Sequence, residues 1–117
     1  MERFVRITKE NFPNIYEKKI DKYALVNDSQ QILGIASINN NSSINKIDIN
    51  VYEKYRGNGY GKVLFGEALK QYKNKYNNDD LRFEVDDQSL FNSILQKFGG
   101  VNVSNNKGNL MYILRVV

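Results

Sequence analysis

The sequence predicts an α/β fold of the α+β kind: a mixed, mostly antiparallel central sheet flanked by helices. Three observations predict it. Short β-branched runs separated by polar, turn-forming residues fill the first half of the chain. Two later stretches repeat apolar residues at three- and four-residue steps, the first opened by a glycine cluster and the second stopped by a glycine pair. The chain has 117 residues, 41% of them hydrophobic, which suits one domain over 1–117 that buries roughly two-thirds of its unfolded surface.

The elements follow in order. Arg3 to Ile7, with Phe4, Val5 and Ile7, reads as a short opening strand. Asn11 to Lys19 carries Phe12, Ile15 and Tyr16 at near-helical spacing, so a short helix is expected, with Pro13 near its start. Tyr23 to Asn27 and Ile32 to Ile38 form a hairpin about Asp28-Ser29-Gln30-Gln31. Ile44 to Val51 places Ile47, Ile49 and Val51 on one face and Lys46, Asp48 and Asn50 on the other, a strand with unlike faces. A glycine cluster, Arg56 to Lys62, then opens into a helix marked by Val63, Leu64, Phe65, Ala68, Leu69, Tyr72 and Tyr76. Leu81 to Val85 is a strand. Leu90, Phe91, Ile94, Leu95 and Phe98 mark a second helix, stopped by Gly99-Gly100. Val101 to Val103 and Leu110 to Val117 close as a hairpin. The expected order is β-α-β-β-β-α-β-α-β-β.

Composition limits the chemistry. There is no cysteine, so thiolate nucleophiles, disulfides and Cys-ligated metals are excluded. There is no histidine either, which removes the Ser-His-Asp triad and the commonest metal ligand. No metal site is expected. Any catalysis falls to carboxylates, Lys, Tyr, backbone amides or a co-substrate. The net charge of +4 suits an anionic ligand but is too small and dispersed to indicate nucleic acid by itself. The Lys70, Tyr72, Lys73, Lys75, Tyr76 stretch, the one segment that suggests a nucleic-acid binder, reads more simply as the solvated end of an amphipathic helix. No apolar run has the length of a signal peptide or a membrane span, so a cytoplasmic location is expected, with no membrane partner.

The most informative segment is IDINVYEKYRGNGYGKVLFGEAL. Strand, glycine-rich turn and helix start, in that order, make an anion site. First-turn N–H groups point outward, the helix dipole favours negative charge, and glycines let a phosphate approach the backbone. Arg56 and Lys62 flank the turn and can add charge-assisted bonds. A Walker loop is excluded because Val63 follows Lys62, and a dinucleotide fingerprint because Gly57, Gly59 and Gly61 give G-x-G-x-G. A tight turn leading into a helix is the plain alternative.

The segment resembles the acetyl-CoA-binding motif of the GNAT superfamily of acyl-CoA-dependent N-acyltransferases, [Q/R]-x-x-G-x-[G/A] after a strand ending roughly V-x-P-x-Y. Arg56, Gly59 and Gly61 fill the signature, and Val51 to Tyr55 match the strand end. The element order and the Lys97-Phe98-Gly99-Gly100 helix end resemble the family as well. The resemblance implies a GNAT-like fold and acetyl-CoA as co-substrate. It also implies a diphosphate seated on backbone amides among Gly57, Asn58, Gly59, Tyr60, Gly61 and Lys62, near Arg56. The pantetheine would then lie along Ile49 to Val51.

The same resemblance implies N-acetyl transfer by direct attack of a primary amine on a small molecule, peptide or protein. It also shows two departures. Asn45 stands where many members carry a glutamate base, and Leu95 stands where a tyrosine acid is common. Gln88 and Gly100 also depart from the usual Asn and Phe. Asp48 and Glu84, the latter at the head of its strand, are the candidate bases, with Asp86 nearby, although for each a solvated or salt-bridged surface carboxylate is the favoured reading. Tyr52, Tyr55 and Tyr60 lie near the motif, and the family layout places Tyr16 or Tyr23 beside the acceptor. The short N-terminal region implies an open acceptor groove, suited to a peptide or protein or to completion by a second copy in a homodimer. The alternative function is an acetyl-CoA-binding regulatory domain of the same fold without catalysis.

Overall fold

The structure is a computed structural model that describes residues 1–39, 46–76, 80–86, 91–102 and 109–115. Strands β1 (Arg3–Arg6), β2 (Asp21–Val26), β3 (Ile32–Asn39) and β4 (Lys46–Val51) form an antiparallel sheet in that order. A 3₁₀ turn at Glu53–Tyr55 leads to helix α1 (Tyr60–Tyr76), then β5 (Asp80–Asp86), helix α2 (Phe91–Lys97), β6 (Val101–Asn102) and β7 (Asn109–Arg115). The last three strands make a second antiparallel sheet, ordered β5-β7-β6. β4 and β5 approach each other but belong to different sheets, so the ladder is broken there.

The β2–β3 hairpin is closed by Asn27, whose Oδ1 accepts from the Ser29 N–H (3.0 Å) and the Gln31 N–H (2.9 Å). A register shift between Leu25 and Val26 turns Leu33 toward the α1 side of the sheet, where it joins Tyr23, Leu25, Ala36, Ile38 and Ile47. That face packs on the α1 stripe of Leu64, Phe65, Ala68 and Tyr72, all fully buried. Full burial of a side chain the size of Leu64 or Phe65 stabilises by about 1.5–3 kcal/mol. Val63 points outward instead, 48% exposed, although it shares the apolar spacing.

The helix expected over Asn11 to Lys19 does not form. The segment is a run of turns in which the Phe12 N–H bonds the Thr8 carbonyl (3.2 Å) and the Tyr16 N–H bonds the Phe12 carbonyl (3.1 Å). Pro13 has no N–H to continue a ladder, and Thr8 and Asn11 bond each other's backbone through their side chains. Phe12, Ile15 and Tyr16 still bury apolar surface, on the opposite face of the sheet against Ala24 and Val26. The observed order is therefore β-β-β-β-α-β-α-β-β.

α2 ends as the double glycine requires. The Gly99 N–H bonds the Gln96 carbonyl (3.1 Å) and the Gly100 N–H bonds the Leu95 carbonyl (2.8 Å), with Gly99 at φ +90°. This is a Schellman closure, and it needs a residue that accepts the left-handed conformation.

Candidate functional site

The site begins where β4 ends. The Tyr52 N–H bonds the Leu33 carbonyl (3.0 Å), which holds the chain to β3, and the 3₁₀ turn then reverses it. The Arg56 guanidinium folds back and donates from Nε to the Val51 carbonyl at 2.8 Å. The Asn58 side chain donates to the Tyr55 carbonyl at 3.0 Å. Gly57 and Gly59 both lie in the left-handed region, at φ +86° and +82°, and among the described residues beyond their chain neighbours no atom stands within 4 Å of where a Cβ would sit. Only glycine takes this path without strain.

The first N–H bonded along α1 is that of Val63, to the Gly59 carbonyl at 3.3 Å. The N–H groups of Tyr60, Gly61 and Lys62 consequently point out of the helix end, where the helix dipole is positive. They open on a cleft of about 500 Å³. Its strand side is Ile49, Asn50 and Val51, and its far wall is Ile94 and Lys97 of α2. Among the described residues the lining holds no Asp or Glu, and neither Lys62 nor Lys97 has an ion-pair partner. The cleft is an anion site with an apolar strand floor.

All the residues that the sequence singles out for cofactor binding line this one cleft, except Asn58. Its side chain braces the turn instead, so only its backbone can serve a ligand there. Ile94 and Lys97 are not singled out for cofactor binding by the sequence, and Asn50 enters only as backbone within Ile49 to Val51. Asn50 alternates onto the polar strand face, and the other two come from a helix more than thirty residues further along the chain.

The candidate proton-transfer groups are less gathered. Asp48 is exposed on β4, on the strand face that carries Asn50, and does not line the cleft. Glu84 lies toward the C-terminal end of β5, opposite Met111 of β7, rather than at the strand's head, and its side chain is outside the described residues. Asp86 pairs with Asn109, while Asn45 and Gln88 are outside the described residues. Leu95 is fully buried, so α2 presents Ile94, not position 95, to the cleft. Tyr23 does not border a groove: it is buried and stacked on Phe4, with ring centroids 4.9 Å apart. Tyr16 packs in the second apolar cluster and Tyr55 against the main core, whereas Tyr60 lines the cleft.

A family model of the acetyltransferase (GNAT) domain matches residues 2–109. The chain belongs to the GNAT acetyltransferase family. Solved structures of GNAT acetyltransferases share its fold at low identity. A Bacillus subtilis acetyltransferase solved in complex with CoA is 16% identical, with 100% of each chain covered and a TM-score of 0.77. An IAA acetyltransferase from Bacillus cereus is 18% identical over 98% of this chain and 99% of its own, with a TM-score of 0.76. The ribosomal-protein-S18-alanine N-acetyltransferase of Escherichia coli is 11% identical over 99% and 94%, also with a TM-score of 0.76. Among curated protein sequences none matches significantly. In this GNAT chain no described helix is long and apolar enough to cross a membrane.

Proposed function

We propose that the protein is an N-acetyltransferase that moves the acetyl group of acetyl-CoA to a primary amine. One observation carries the reading: the free amides of the α1 N-terminus, two left-handed glycines and the cations Arg56, Lys62 and Lys97 converge on one cleft beside the end of β4. A CoA diphosphate fits that chemistry, and the apolar Ile49 and Val51 side chains fit the pantetheine arm. The CoA-bound Bacillus subtilis relative supports the same assignment.

Acetyl-CoA supplies the thioester. The amine, freed of one proton from its ammonium form, attacks the acetyl carbonyl to give a tetrahedral oxyanion. Its collapse breaks the C–S bond, and the departing thiolate takes up the second proton that the nitrogen sheds, giving amide and CoA thiol. In this reading Asp48 takes the first proton, directly or through water. It lies on the same strand face as Asn50, about 7 Å away by strand geometry. Backbone N–H at the broken β4 edge stabilises the developing oxyanion.

Thermal unfolding with and without acetyl-CoA tests the binding step. At a hundredfold excess over its dissociation constant the ligand adds about 2.7 kcal/mol, a clear upward shift of the melting temperature. No shift at millimolar acetyl-CoA would overturn the reading. Release of CoA thiol, measured across polyamines and alanine-starting peptides, then tests transfer. The choice of amines follows relatives named for spermidine/spermine and for a ribosomal-protein alanine.

A second reading, a CoA-binding domain without transfer, is favoured by one observation. Leu95 has no proton to give the leaving sulfur and is wholly buried. A melting shift without amine-dependent thiol release would select it.

A further inference from the structure

We propose that Lys97 is a specificity-determining residue of the cofactor site, a cationic jaw on α2 that holds a phosphate of acyl-CoA against the amides of the α1 N-terminus. The inference rests on the CoA-binding reading above and extends it to a wall of the cleft outside the glycine motif.

Three observations carry it. Lys97 lines the same cleft as Gly59, Gly61 and Lys62, yet it comes from the opposite wall. Four other cations, Arg6, Lys22, Lys70 and Lys75, have carboxylate partners, whereas Arg56, Lys62 and Lys97 have none among the described residues. Like charges drawn to one concavity with no acidic lining raise its positive potential, and a polyanion relieves it.

The third observation is that the position of Lys97 is fixed by its neighbours. Phe98 packs edge-to-face on Phe65 of α1, with centroids 5.1 Å apart. Gly66 makes room for that ring, since a Cβ there would stand 3.3 Å from Phe98 Cζ. On the far side the Schellman closure ends the helix, and a Cβ at Gly100 would stand 2.9 Å from the Leu95 carbonyl oxygen. The sequence Lys97-Phe98-Gly99-Gly100 thus does more than stop a helix. It ties the end of α2 to the middle of α1 and leaves Lys97 on the cleft.

The test is the affinity of wild type, Lys97→Gln and Lys97→Arg for CoA, dephospho-CoA and phosphate-free acetyl-pantetheine. Lys97→Gln should bind CoA about tenfold more weakly, the size of one charge-assisted hydrogen bond. It should bind acetyl-pantetheine as wild type does, and Lys97→Arg should restore most of the CoA affinity. The deficit should shrink at ~1 M salt, where charges are screened beyond ~3 Å.

A loss on CoA and dephospho-CoA alike supports the jaw and places it on the diphosphate. A loss on CoA alone supports it and places it on the ribose phosphate. Unchanged CoA affinity in Lys97→Gln, with wild type binding normally, overturns this inference and leaves the proposed function standing. An equal loss on acetyl-pantetheine also overturns it, because the effect would not be one of charge. Wild type that binds none of the three overturns both.

Discussion

Gly57, Gly59 and Gly61 look alike in the sequence and serve different ends. The first two are glycines because of φ, since a Cβ at either would meet open space. Gly61 is an ordinary helical residue whose Cβ would stand 3.2 Å from Ile94 Cδ1 and 3.7 Å from Val51 Cγ2. Gly59→Ala should therefore lower stability by about 1–2 kcal/mol from backbone strain alone and weaken acetyl-CoA binding, read by melting with and without ligand. Gly61→Val should fail through packing, by pressing α2 away from β4, and a suppressor such as Ile94→Ala should recover part of its stability. Gly59→Ala should gain nothing from that suppressor. The sequence pattern identifies the cluster but cannot separate these roles, because φ and interhelix distance are set by parts of the chain far from the motif. Asp48 is the sharper residue-scale test of chemistry. Asp48→Asn should keep the acetyl-CoA melting shift and lose at least ~100-fold in the rate of amine-dependent thiol release, the usual contribution of a positioned base. An unchanged rate across pH would remove Asp48 from the reaction.

Elements were legible where one periodicity dominated. β4 and both later helices follow their apolar spacing because each buries one face, whereas β2 and β3 read as continuous apolar runs because α1 covers one face and the Phe12–Tyr16 turns the other. The 11–19 segment misled because its apolar residues do bury, but on isolated turns that cover a sheet face rather than on a helix. Close packing of α1 on the sheet depends on Gly34 of β3. A Cβ there would stand 2.7 Å from Leu64 Cδ1 and 2.8 Å from the Asn50 carbonyl oxygen, and the latter is backbone that cannot swing aside. Gly34→Ala should thus cost about 1–3 kcal/mol, measured by denaturant unfolding, and should disturb the cleft through Asn50 as well. The far end of α1 is held differently. Asp21 of β2, 14% exposed, pairs with Lys75 in the helix's last turn (2.6 Å) and with Arg6 of β1 (2.9 Å). Burial opposes charge on Arg6, but Tyr23 and Asp21 outweigh it and hold the guanidinium above its ordinary value. Because both cations are about half exposed, Asp21→Ala should cost only about 1 kcal/mol in the same measurement.

At the scale of the molecule, the sequence showed which strand, turn and helix carry the anion site but not what faces it across the cleft. That wall depends on the break between two sheets at β4 and β5 and on α2 docking to α1, contacts with no local signature. The resulting charge arrangement has a consequence for the whole fold. The net charge is +4, and three cations without carboxylate partners among the described residues line one concavity, so the ligand-free protein holds unrelieved repulsion there. Sodium chloride screens that repulsion and should raise the melting temperature of the free protein. It also screens the attraction for a bound polyanion, over a Debye length that falls from ~10 Å at 0.1 M to ~3 Å at 1 M. The acetyl-CoA-induced melting shift should accordingly shrink across the same salt series. The two trends have opposite signs, which separates them from a general salt effect on stability. Melting curves at fixed acetyl-CoA from 0.05 to 1 M sodium chloride (about a four- to fivefold range of screening length) check this in one experiment. If the free and liganded proteins move in parallel, the cleft is not an electrostatic site, and its phosphate selectivity must come from the backbone amides alone.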